Sequence, residues 1–525
     1  MYGFKYYKNN SEKPSVEVSF NQKFCDDRVF FENEDIIVII DGIVINKLDL
    51  LSASKLDSWE SYITEEFGND KYFFKQLRGS YSGLIYDKST DVTIVFSDQL
   101  GSKFVYYSKI GNSFYAFSNV SELYERLYSE GKRISLNEVG VRMVVEHGGT
   151  FAGYTICNEV RRIQPGCFIE INKENIVTEH QYYLLNNTPD NSKTEDEWIE
   201  IIDKLYRRAI QLQYNKDLEY DYKHLANLSG GIDCRMTNFV SHQMGYLHQL
   251  NVTFSQTGFS DETTAKQIAH DLCNEWLFKS LDNGLWLYDV DECVRQKGGN
   301  RLYYAIAHNR SLFKYVNENT YGVIHSGTQG EIFKGETDVD YDTIIKNICF
   351  EPSIKYSNQE LQTIYYRYLG CVEINENFSP LLELDFLEAI LKIPIELRRN
   401  GYIYKKWIIK KYPEADKYVW STTGARLSCK FNPKIRICGH EAYLRQIPDM
   451  IRQKIKGNGP FAMNPIPQYI SQNKDLRKYL LSYYSYLNKI ENNSIKEYLD
   501  KQSKSGLSLI KTVTILSAIK IFNFK

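Results

Sequence analysis

The first 185 residues show mainly the alternation of apolar and polar positions that is typical of β-strands. Residues 15–20 alternate strictly, and residues 92–96 form a second short β-like run. Residues 36–40 are continuously apolar, and Asp41 and Gly42 close the run. These patterns predict a layered β structure with a few helices.

The segment LNNTPDNSKTED at residues 185–196 is rich in Asn, Asp, Thr and Ser and has no apolar periodicity, which predicts an exposed linker. We therefore place a domain boundary here. The expected organisation is one domain over residues 1–185, a linker over 186–196 and a second domain over 197–525.

A helix is predicted to open the second half of the chain. Thr194 and Glu197 have the spacing of a capping box, and apolar residues then recur at helical spacing from Trp198 to Leu212. Beyond this helix, short β-like runs alternate with helical ones, which predicts an α/β core followed by a helical region. The apolar tail at 513–524 is interrupted by Lys520 and predicts a packed terminal helix rather than a membrane span.

Composition narrows the class of protein. The 525 residues are 43% hydrophobic and 25% charged, with a net charge of -2, so bulk charge predicts no attraction to nucleic acid or to an anionic membrane. The ten cysteines include no CxxC pair, which argues against zinc and a disulfide framework. The first ten residues lack an apolar core, so we expect no export signal and a cytoplasmic protein.

The most informative segment is HLANLSGGIDCRMTNFV at 224–240. Residues 225–228 suit a buried strand, residues 229–231 form a Ser-Gly-Gly turn, and a helix can follow. Backbone amides at such a turn, with the positive end of the helix dipole, favour an anion such as pyrophosphate. Asp233 would need Mg²⁺ beside a phosphate, and Arg235 would add positive charge. The alternative is an ordinary strand, turn and helix without a ligand; no Walker-type loop occurs.

SGGIDCR at 229–235 resembles the SGGxDS pyrophosphate loop of the asparagine synthetase family. Segments resembling other parts of that family follow in the same order at residues 251–272, 321–336 and 379–398. The first half resembles the family independently through DGIVIN and four further segments: MYGF at the start, and residues 76–87, 97–119 and 160–166. The resemblance thus extends through nearly the whole chain.

The resemblance implies an N-terminal layered β-sandwich-type domain of the Ntn-hydrolase type. An α/β synthetase domain of the adenine-nucleotide α-hydrolase type, with a helical C-terminal region, would follow it. The implied reaction is ATP-dependent adenylation of a carboxylate, with Mg²⁺, release of pyrophosphate, and attack by ammonia or an amine. The implied catalytic and metal-binding residues are Asp233 and Glu331. Nucleotide-contacting residues would be Leu228, Ser229, Gly230, Gly231, Asp233, Cys234, Phe254, Ser326 and Gly327.

Three departures from the family pattern limit what the resemblance implies. Tyr2 stands where the family has its glutaminase cysteine, so glutamine hydrolysis is not expected. The acidic pair of the family is reduced to Glu331, with Thr328 or Gln329 in place of an upstream acid. No catalytic lysine is in clear register, although three basic residues lie in the corresponding region: Arg426, Lys430 and Lys434.

The leading hypothesis is therefore an amide ligase that acts without glutamine hydrolysis in the biosynthesis of a polysaccharide or a peptide natural product. The alternative is a catalytically degenerate scaffold that binds nucleotide or a partner. Another ATP pyrophosphatase, such as a GMP or NAD synthetase, ranks last because those families lack the N-terminal β domain. A second copy of the chain or a biosynthetic protein are the candidate partners.

Overall fold

The computed structural model describes residues 2–9, 12–186, 188–334, 376–437, 440–455, 462–502 and 506–524. Within these ranges, no helix has the length and apolar character that crossing a membrane requires. Seven cysteines are described and all are free thiols; Cys349, Cys371 and Cys438 lie outside the described residues.

The described strands and helices follow in chain order. The strands are β1 Gly3–Asn9, β2 Glu12–Ser19, β3 Val29–Glu32, β4 Ile36–Val44, β5 Gly79–Asp87, β6 Val92–Ser97, β7 Tyr106–Ile110, β8 Ser113–Phe117, β9 Arg161–Arg162, β10 Cys167–Ile171, β11 Val177–Gln181, β12 Lys223–Asn227, β13 Leu250–Ser255, β14 Glu275–Ser280, β15 Tyr321–His325, β16 Asn377–Phe378, β17 Lys434–Ile437 and β18 His440–Tyr443. The helices are α1 Lys47–Ser54, α2 Trp59–Asn69, α3 Val120–Ser129, α4 Glu138–His147, α5 Glu195–Glu219, α6 Ile232–Gln243, α7 Ser260–Asp271, α8 Val290–Lys297, α9 Tyr304–Phe313, α10 Gly330–Phe333, α11 Leu384–Lys392, α12 Ile395–Arg398, α13 Tyr402–Lys411, α14 Ile447–Ile455, α15 Ile466–Gln472, α16 Lys474–Ser482, α17 Asn493–Gln502 and α18 Gly506–Phe522.

The first half consists of two antiparallel sheets. One has the order β2-β1-β8-β7-β9 and the other the order β11-β10-β6-β5-β4-β3. Their facing sides share one core, in which Phe4 and Phe114 from the first sheet meet Ile39 and Val95 from the second. The predicted strands at 15–20, 36–40 and 92–96 are confirmed as parts of β2, β4 and β6.

Helices cover the outer face of each sheet. Helix α2 packs through Trp59 and Ile63 on the second sheet, and α3 packs through Leu123 and Leu127 on the first. The continuous apolar run in β4 is explained by this layering, because residues 37 and 39 face the sheet partner while 38 and 40 face α2. The predicted layered β structure with a few helices is confirmed.

The second half begins with the predicted helix. The Thr194 hydroxyl accepts a hydrogen bond from the backbone N–H of Glu197, and the Glu197 carboxylate accepts one from the backbone N–H of Thr194 at 2.7 Å. This reciprocal cap satisfies two amide groups that the first turn would otherwise leave unpaired. The capping box is therefore confirmed, and α5 continues for 25 residues.

A parallel sheet of the order β14-β13-β12-β15-β16 forms the centre of the second half. Helices α5 and α6 pack on it through Tyr206, Tyr214, Met236 and Val240. In a parallel sheet all strands end at the same edge, and loops at that edge commonly bind ligands. Here that edge carries the segments after β12, β13 and β15.

The last helix, α18, is confirmed as a packed helix rather than a membrane span. It is apolar around most of its circumference, which suits a helix buried on several sides. Ile515 and Ile519 share a core with Leu123 of α3 and Val144 of α4, so this helix packs against the first half of the chain. The C-terminal region thereby joins both halves.

A buried ionic cluster also joins the first half to α5. Asp27 is 0% exposed and lies 2.7 Å from the Lys47 ammonium and 3.1 Å from that of Lys216. The Tyr220 hydroxyl donates a hydrogen bond to the same carboxylate at 2.6 Å. Burial acts to raise the pKa of Asp27, but the two lysines hold it below its ordinary value.

A second buried network lies inside the parallel half. One carboxylate oxygen of Asp217 on α5 is 2.7 Å from a ring nitrogen of His224 and 2.7 Å from one of His325. Its other oxygen accepts the backbone N–H of Val323 at 2.8 Å. The fold thus assembles three potential metal ligands from separate segments, which cysteine and histidine spacing did not predict. These distances are those of hydrogen bonds, and they fix β12 and β15 to α5.

Acid is expected to weaken the fold through buried histidines. Burial lowers the pKa of His308, which packs against the rings of Phe254 and Trp286, and lowers that of His325. The unfolded chain therefore binds more protons than the folded one once the pH falls below the ordinary histidine pKa of 6.5, so stability declines there. The unfolding temperature should drop between about pH 7.5 and about pH 5.5.

Two substitutions test the cause of this decline. His308→Phe should reduce the drop in unfolding temperature that acid causes. His270→Gln, at an exposed histidine, should leave that drop unchanged. An unfolding temperature that stays constant over this range would contradict the buried-histidine explanation.

Candidate functional site

The predicted strand, turn and helix at 225–243 are confirmed. Strand β12 ends at Asn227, the turn covers residues 228–231, and α6 begins at Ile232. Leu228 is buried, and Ser229 and Gly231 are half-buried. A Cβ atom on Gly230 would lie 2.9 Å from Asp261 and 2.9 Å from Ser421, whereas one on Gly231 would meet only the Ser229 hydroxyl. The turn is therefore closed at Gly230 and more open at Ser229 and Gly231.

The amides of the turn have partners within the protein. The Gly230 N–H donates to a carboxylate oxygen of Asp261 at 2.9 Å, and the Gly231 N–H donates to the Ser229 hydroxyl at 3.2 Å. Burial raises the pKa of Asp261, and the hydrogen bond from Gly230 opposes that effect. The Gly230 amide is thus paired with a carboxyl group of the protein itself.

Arg235 places positive charge next to the turn, as predicted, and that charge is held by backbone carbonyls. Its side chain is fully buried and donates hydrogen bonds to the carbonyls of Gly230, Ala415, Tyr418 and Val419. Burial lowers the pKa of Arg235 to about 10. The guanidinium attaches the turn to the 415–419 segment because carbonyls are the acceptors within its reach.

The two predicted nucleotide turns lie side by side. Ser326 and Gly327 follow β15, which is paired with β12. A Cβ atom on Gly327 would lie 2.3 Å from the backbone nitrogen of Cys234 and 2.4 Å from the carbonyl carbon of Asp233. Only glycine permits this approach of two backbones. The Ser326 carbonyl also accepts the Thr237 hydroxyl at 2.9 Å, which fixes α6 against the end of β15.

Asp233 lies where the turns meet. One carboxylate oxygen is 2.7 Å from the Lys334 ammonium, with 17% of the Asp233 side chain and 11% of the Lys334 side chain exposed. Burial raises the pKa of Asp233; Lys334 counteracts this, and Glu331 adds to it. Glu331 is exposed in the first turn of α10. The structure thus brings both predicted acidic residues to one place.

The second carboxylate oxygen of Asp233 and the Tyr404 hydroxyl are buried next to each other, and neither has a further hydrogen-bond partner within the described residues. A carboxylate oxygen can accept more than one partner, so the Asp233 oxygen beside Tyr404 can also bind a cation. Carboxylate oxygens are ligands that Mg²⁺ prefers. Asp233 and Glu331 therefore fit a bound Mg²⁺, with Lys334 as an additional cation beside them.

Lys334 is the functional residue that the sequence did not predict. Arg426 and Lys430 are exposed, and Lys434 lies over the ring of Tyr443, so none of the three basic candidates has a described contact with Asp233. No local signal could have found Lys334, because Asp233 is 101 residues away along the chain and only the fold brings the two side chains together.

Phe254 occupies the position on β13 that was proposed to approach adenine. Its ring lies 4.7 Å from that of His308 and belongs to the cores on both sides of the strand. Cys234 is half-buried, and burial raises the pKa of its thiol to about 12. The thiol is therefore a neutral group at this site.

Gly330→Ala is expected to disrupt the site. The added Cβ would lie 2.2 Å from the Asp233 carboxylate carbon, so the carboxylate must move, and its contact with Lys334 would be lost. Binding of Mg·ATP should fall at least about tenfold, as measured by calorimetry.

Gly68→Ala is the matched control, because nothing lies within 4 Å of the added atom on α2. It should bind Mg·ATP as the wild type does. Equal nucleotide binding by Gly330→Ala and Gly68→Ala would exclude the Asp233 carboxylate from the binding site.

Two large cavities adjoin these elements. The shared cavity, of about 750 Å³, is lined by residues of both halves, including Gly327, Thr328, Gln329 and Glu331. A second cavity, of about 300 Å³, lies in the first half and is lined by Tyr2, Asp41 and Lys103 among others. Phe104, Tyr106 and Lys297 line both cavities.

Residues 62–183 match the glutamine amidotransferase domain family. This match lies in the half of the chain that forms the layered antiparallel sheets. The other half has a parallel sheet with two glycine turns at one edge. The protein therefore consists of an amidotransferase-type domain joined to an α/β region. The chain is 24% identical over 273 residues to the glutamine-hydrolysing asparagine synthetase 1 of Bacillus subtilis (strain 168). That match covers 50% of this chain and 42% of the relative's length. Both matches support the resemblance of this chain to the asparagine synthetase family.

Solved structures with partial similarity include an amidotransferase and two synthetases. The glutamine phosphoribosylpyrophosphate amidotransferase of B. subtilis, complexed with ADP and GMP, has 11% identity and a TM-score of 0.24, covering 52% of this chain and 59% of its own. The NH3-dependent NAD synthetase of Campylobacter jejuni has 12% identity and a TM-score of 0.21, and the match covers 58% of this chain and 97% of the synthetase. The NMN synthetase of Francisella tularensis has 12% identity and a TM-score of 0.20, and the match covers 43% of this chain and 96% of the synthetase.

Proposed function

We propose that this chain is an ATP-dependent, AMP- and pyrophosphate-forming amide ligase that adenylates a carboxylate and transfers it to ammonia or an amine. The observation that carries the proposal is the convergence of the 229–231 turn, the Ser326–Gly327 turn and Asp233 at one sheet edge. Pyrophosphate is a poor leaving group unless its charge is neutralised, and this edge combines amides with cations.

The finer assignments of fold belong to the same proposal. The first half would be a domain of the Ntn-hydrolase type over residues 1–185. Residues 186–196 would be the linker, and residues 197–525 a synthetase domain of the adenine-nucleotide α-hydrolase type. The layered sheets and the parallel sheet described above support this division.

Each residue has a defined part in this proposal. Ser229 and Gly231 form the open side of the turn and would hold phosphate oxygens, while Leu228 and Gly230 fix the turn from its buried side. Gly327, Ser326 and Cys234 would contact the nucleotide where the two turns touch. Phe254 would approach adenine from β13. Mg²⁺, when bound, would neutralise phosphate charge, and Asp233 and Glu331 would hold it.

Lys334 would also neutralise the negative charge of the phosphates. Its ammonium lies against Asp233, so it can contact a phosphate oxygen after a small side-chain rotation. A lysine acts as a compact point charge, which suits neutralisation of the departing pyrophosphate.

ATP–pyrophosphate exchange with a panel of carboxylates tests the ligase proposal, since exchange requires only the adenylation half-reaction. A substrate-dependent exchange signal supports an enzyme, and labelled ammonium that enters the product identifies ammonia as the nitrogen source. A product without the label indicates an amine on the substrate. Failure to retain Mg·ATP would refute the proposal.

Glutamine is expected not to serve as the nitrogen donor. Tyr2 lines the second cavity, the described residues lining that cavity include no cysteine, and a phenol cannot replace a thiolate as the nucleophile. Release of glutamate from glutamine should therefore stay at the uncatalysed level, while free ammonium or a substrate amine supports turnover. Glutamate release above that level would contradict this expectation.

A catalytically degenerate scaffold is the second candidate. It is favoured by the internal pairing of the site, where Asp261 accepts the Gly230 amide and Lys334 neutralises Asp233. A scaffold would bind ATP without pyrophosphate exchange for any carboxylate in a broad panel. Exchange with one carboxylate would exclude it.

A further inference from the structure

The shared cavity extends from the second nucleotide turn to the first half of the chain. Its lining includes Gly327, Thr328 and Gln329 of the second half and Gly148 and Thr150 of the first half. Its volume of about 750 Å³ lies in the range of roughly 300–1,000 Å³ that encloses a drug-sized ligand. The space is large for a small amino acid.

Positive charge predominates in the lining. Four lining residues are permanent cations and two are carboxylates. Of the carboxylates, Glu146 accepts a hydrogen bond from the Tyr498 hydroxyl at 2.8 Å, and Glu331 belongs to the proposed metal site. An ammonium group on a ligand would therefore find few available acceptors, whereas an anionic group would find several donors.

Arg301 and Lys511 are the two cations without a partner in the described part of the chain. No hydrogen bond or ion pair there involves either side chain, and Lys511 is half-buried on α18. Arg162 differs, because it donates to the Thr150 carbonyl at 3.1 Å and lies over the ring of Phe104. Arg301 and Lys511 can thus bind a ligand without breaking an existing contact.

Gln329 provides a second, independent observation. It has the left-handed backbone conformation, with φ 72°, and lines the cavity immediately before α10. A residue other than glycine is strained in this conformation, and such strain is common at binding sites. Its neutral amide can contact a substrate carboxylate but cannot neutralise an ammonium.

We propose that the shared cavity binds the substrate as a carboxylate with a second anionic group and no ammonium group, and that Arg301 and Lys511 hold the second group. The carboxylate to be activated would lie near Gln329 and Gly327, where adenylation is proposed. This assignment of substrate class rests on the proposed function, whereas the binding that it requires does not depend on turnover.

Equilibrium binding of 6-phosphogluconate and gluconate tests the proposal, because the two probes share a carboxylate and differ in the phosphate. Titrations use the full chain with Mg²⁺ and a non-hydrolysable ATP analogue. The wild type should bind 6-phosphogluconate at least about tenfold more tightly than gluconate. The double variant Arg301→Gln/Lys511→Gln should lose this preference, and each single variant should lose part of it.

Arg477→Gln/Lys478→Gln is the matched control, since it removes the same two charges from the exposed face of α16, outside the cavity. It should keep the preference. Equal binding of the two probes by the wild type, no binding of either, or a preference that survives the Arg301 and Lys511 substitutions overturns the proposal. Selective binding without pyrophosphate exchange would leave it standing and refute only the ligase function.

Discussion

Asp233→Asn is expected to lower ATP–pyrophosphate exchange by about 10²-fold to 10³-fold. The substitution preserves shape but removes a buried carboxylate that lies against Lys334 and beside the Tyr404 hydroxyl. An amide is a much weaker ligand for Mg²⁺ and cannot neutralise the ammonium beside it. Binding of Mg·ATP should weaken in parallel, as measured by calorimetry.

The companion variants make this result specific. Asp449→Asn, at an exposed acid paired with Arg452, should leave exchange unchanged. Lys334→Met should also reduce exchange, because it removes a cation from the same site, while retaining the Asp233 carboxylate. Full exchange activity in Asp233→Asn would refute the assignment of Asp233 and, with it, the site on which the proposed function depends.

Asp27→Ala is expected to destabilise the protein by about 3–5 kcal/mol. The Asp27 carboxylate is fully buried between Lys47 and Lys216 and accepts the Tyr220 hydroxyl. Its removal leaves two buried ammonium groups with Glu219 as their remaining carboxylate partner among the described residues. The loss is measured as the change in the free energy of unfolding by urea.

A second ion pair between the same elements is the control. Asp49 of α1 pairs with Arg208 of α5, and both side chains are largely exposed. Because solvent screens exposed pairs, Asp49→Ala should cost at most about 1 kcal/mol. Equal losses for the two variants would show that burial does not determine the strength of this contact between the first half and α5.

Local pattern predicted the elements of this fold well. The alternation at 15–20, the apolar run at 36–40, the capping box at Thr194 and the glycine turn at 229–231 all correspond to elements of the structure. Each depends on residues within a few positions of one another, where hydrogen bonding and side-chain direction follow directly from sequence.

Partner choice was less predictable. Arg235 was expected to add positive charge near the turn, and it does, but its contacts with carbonyls of a segment about 180 residues away were not predicted. Lys334 was not predicted, although it lies against Asp233 across a separation of 101 residues. Side chains choose partners according to which elements the topology brings together, and a local pattern contains no information on that choice.

The sequence alone determined the strands, the principal helices, the glycine turn and the acidic residues beside it, because short-range hydrogen bonding and apolar periodicity specify them. The tertiary structure alone decided that Lys334 neutralises Asp233, that Asp261 binds the turn, and that both halves line one cationic cavity. These features arise because parallel strands end at one edge and because α18 packs on the first half, which are long-range consequences of burying apolar surface.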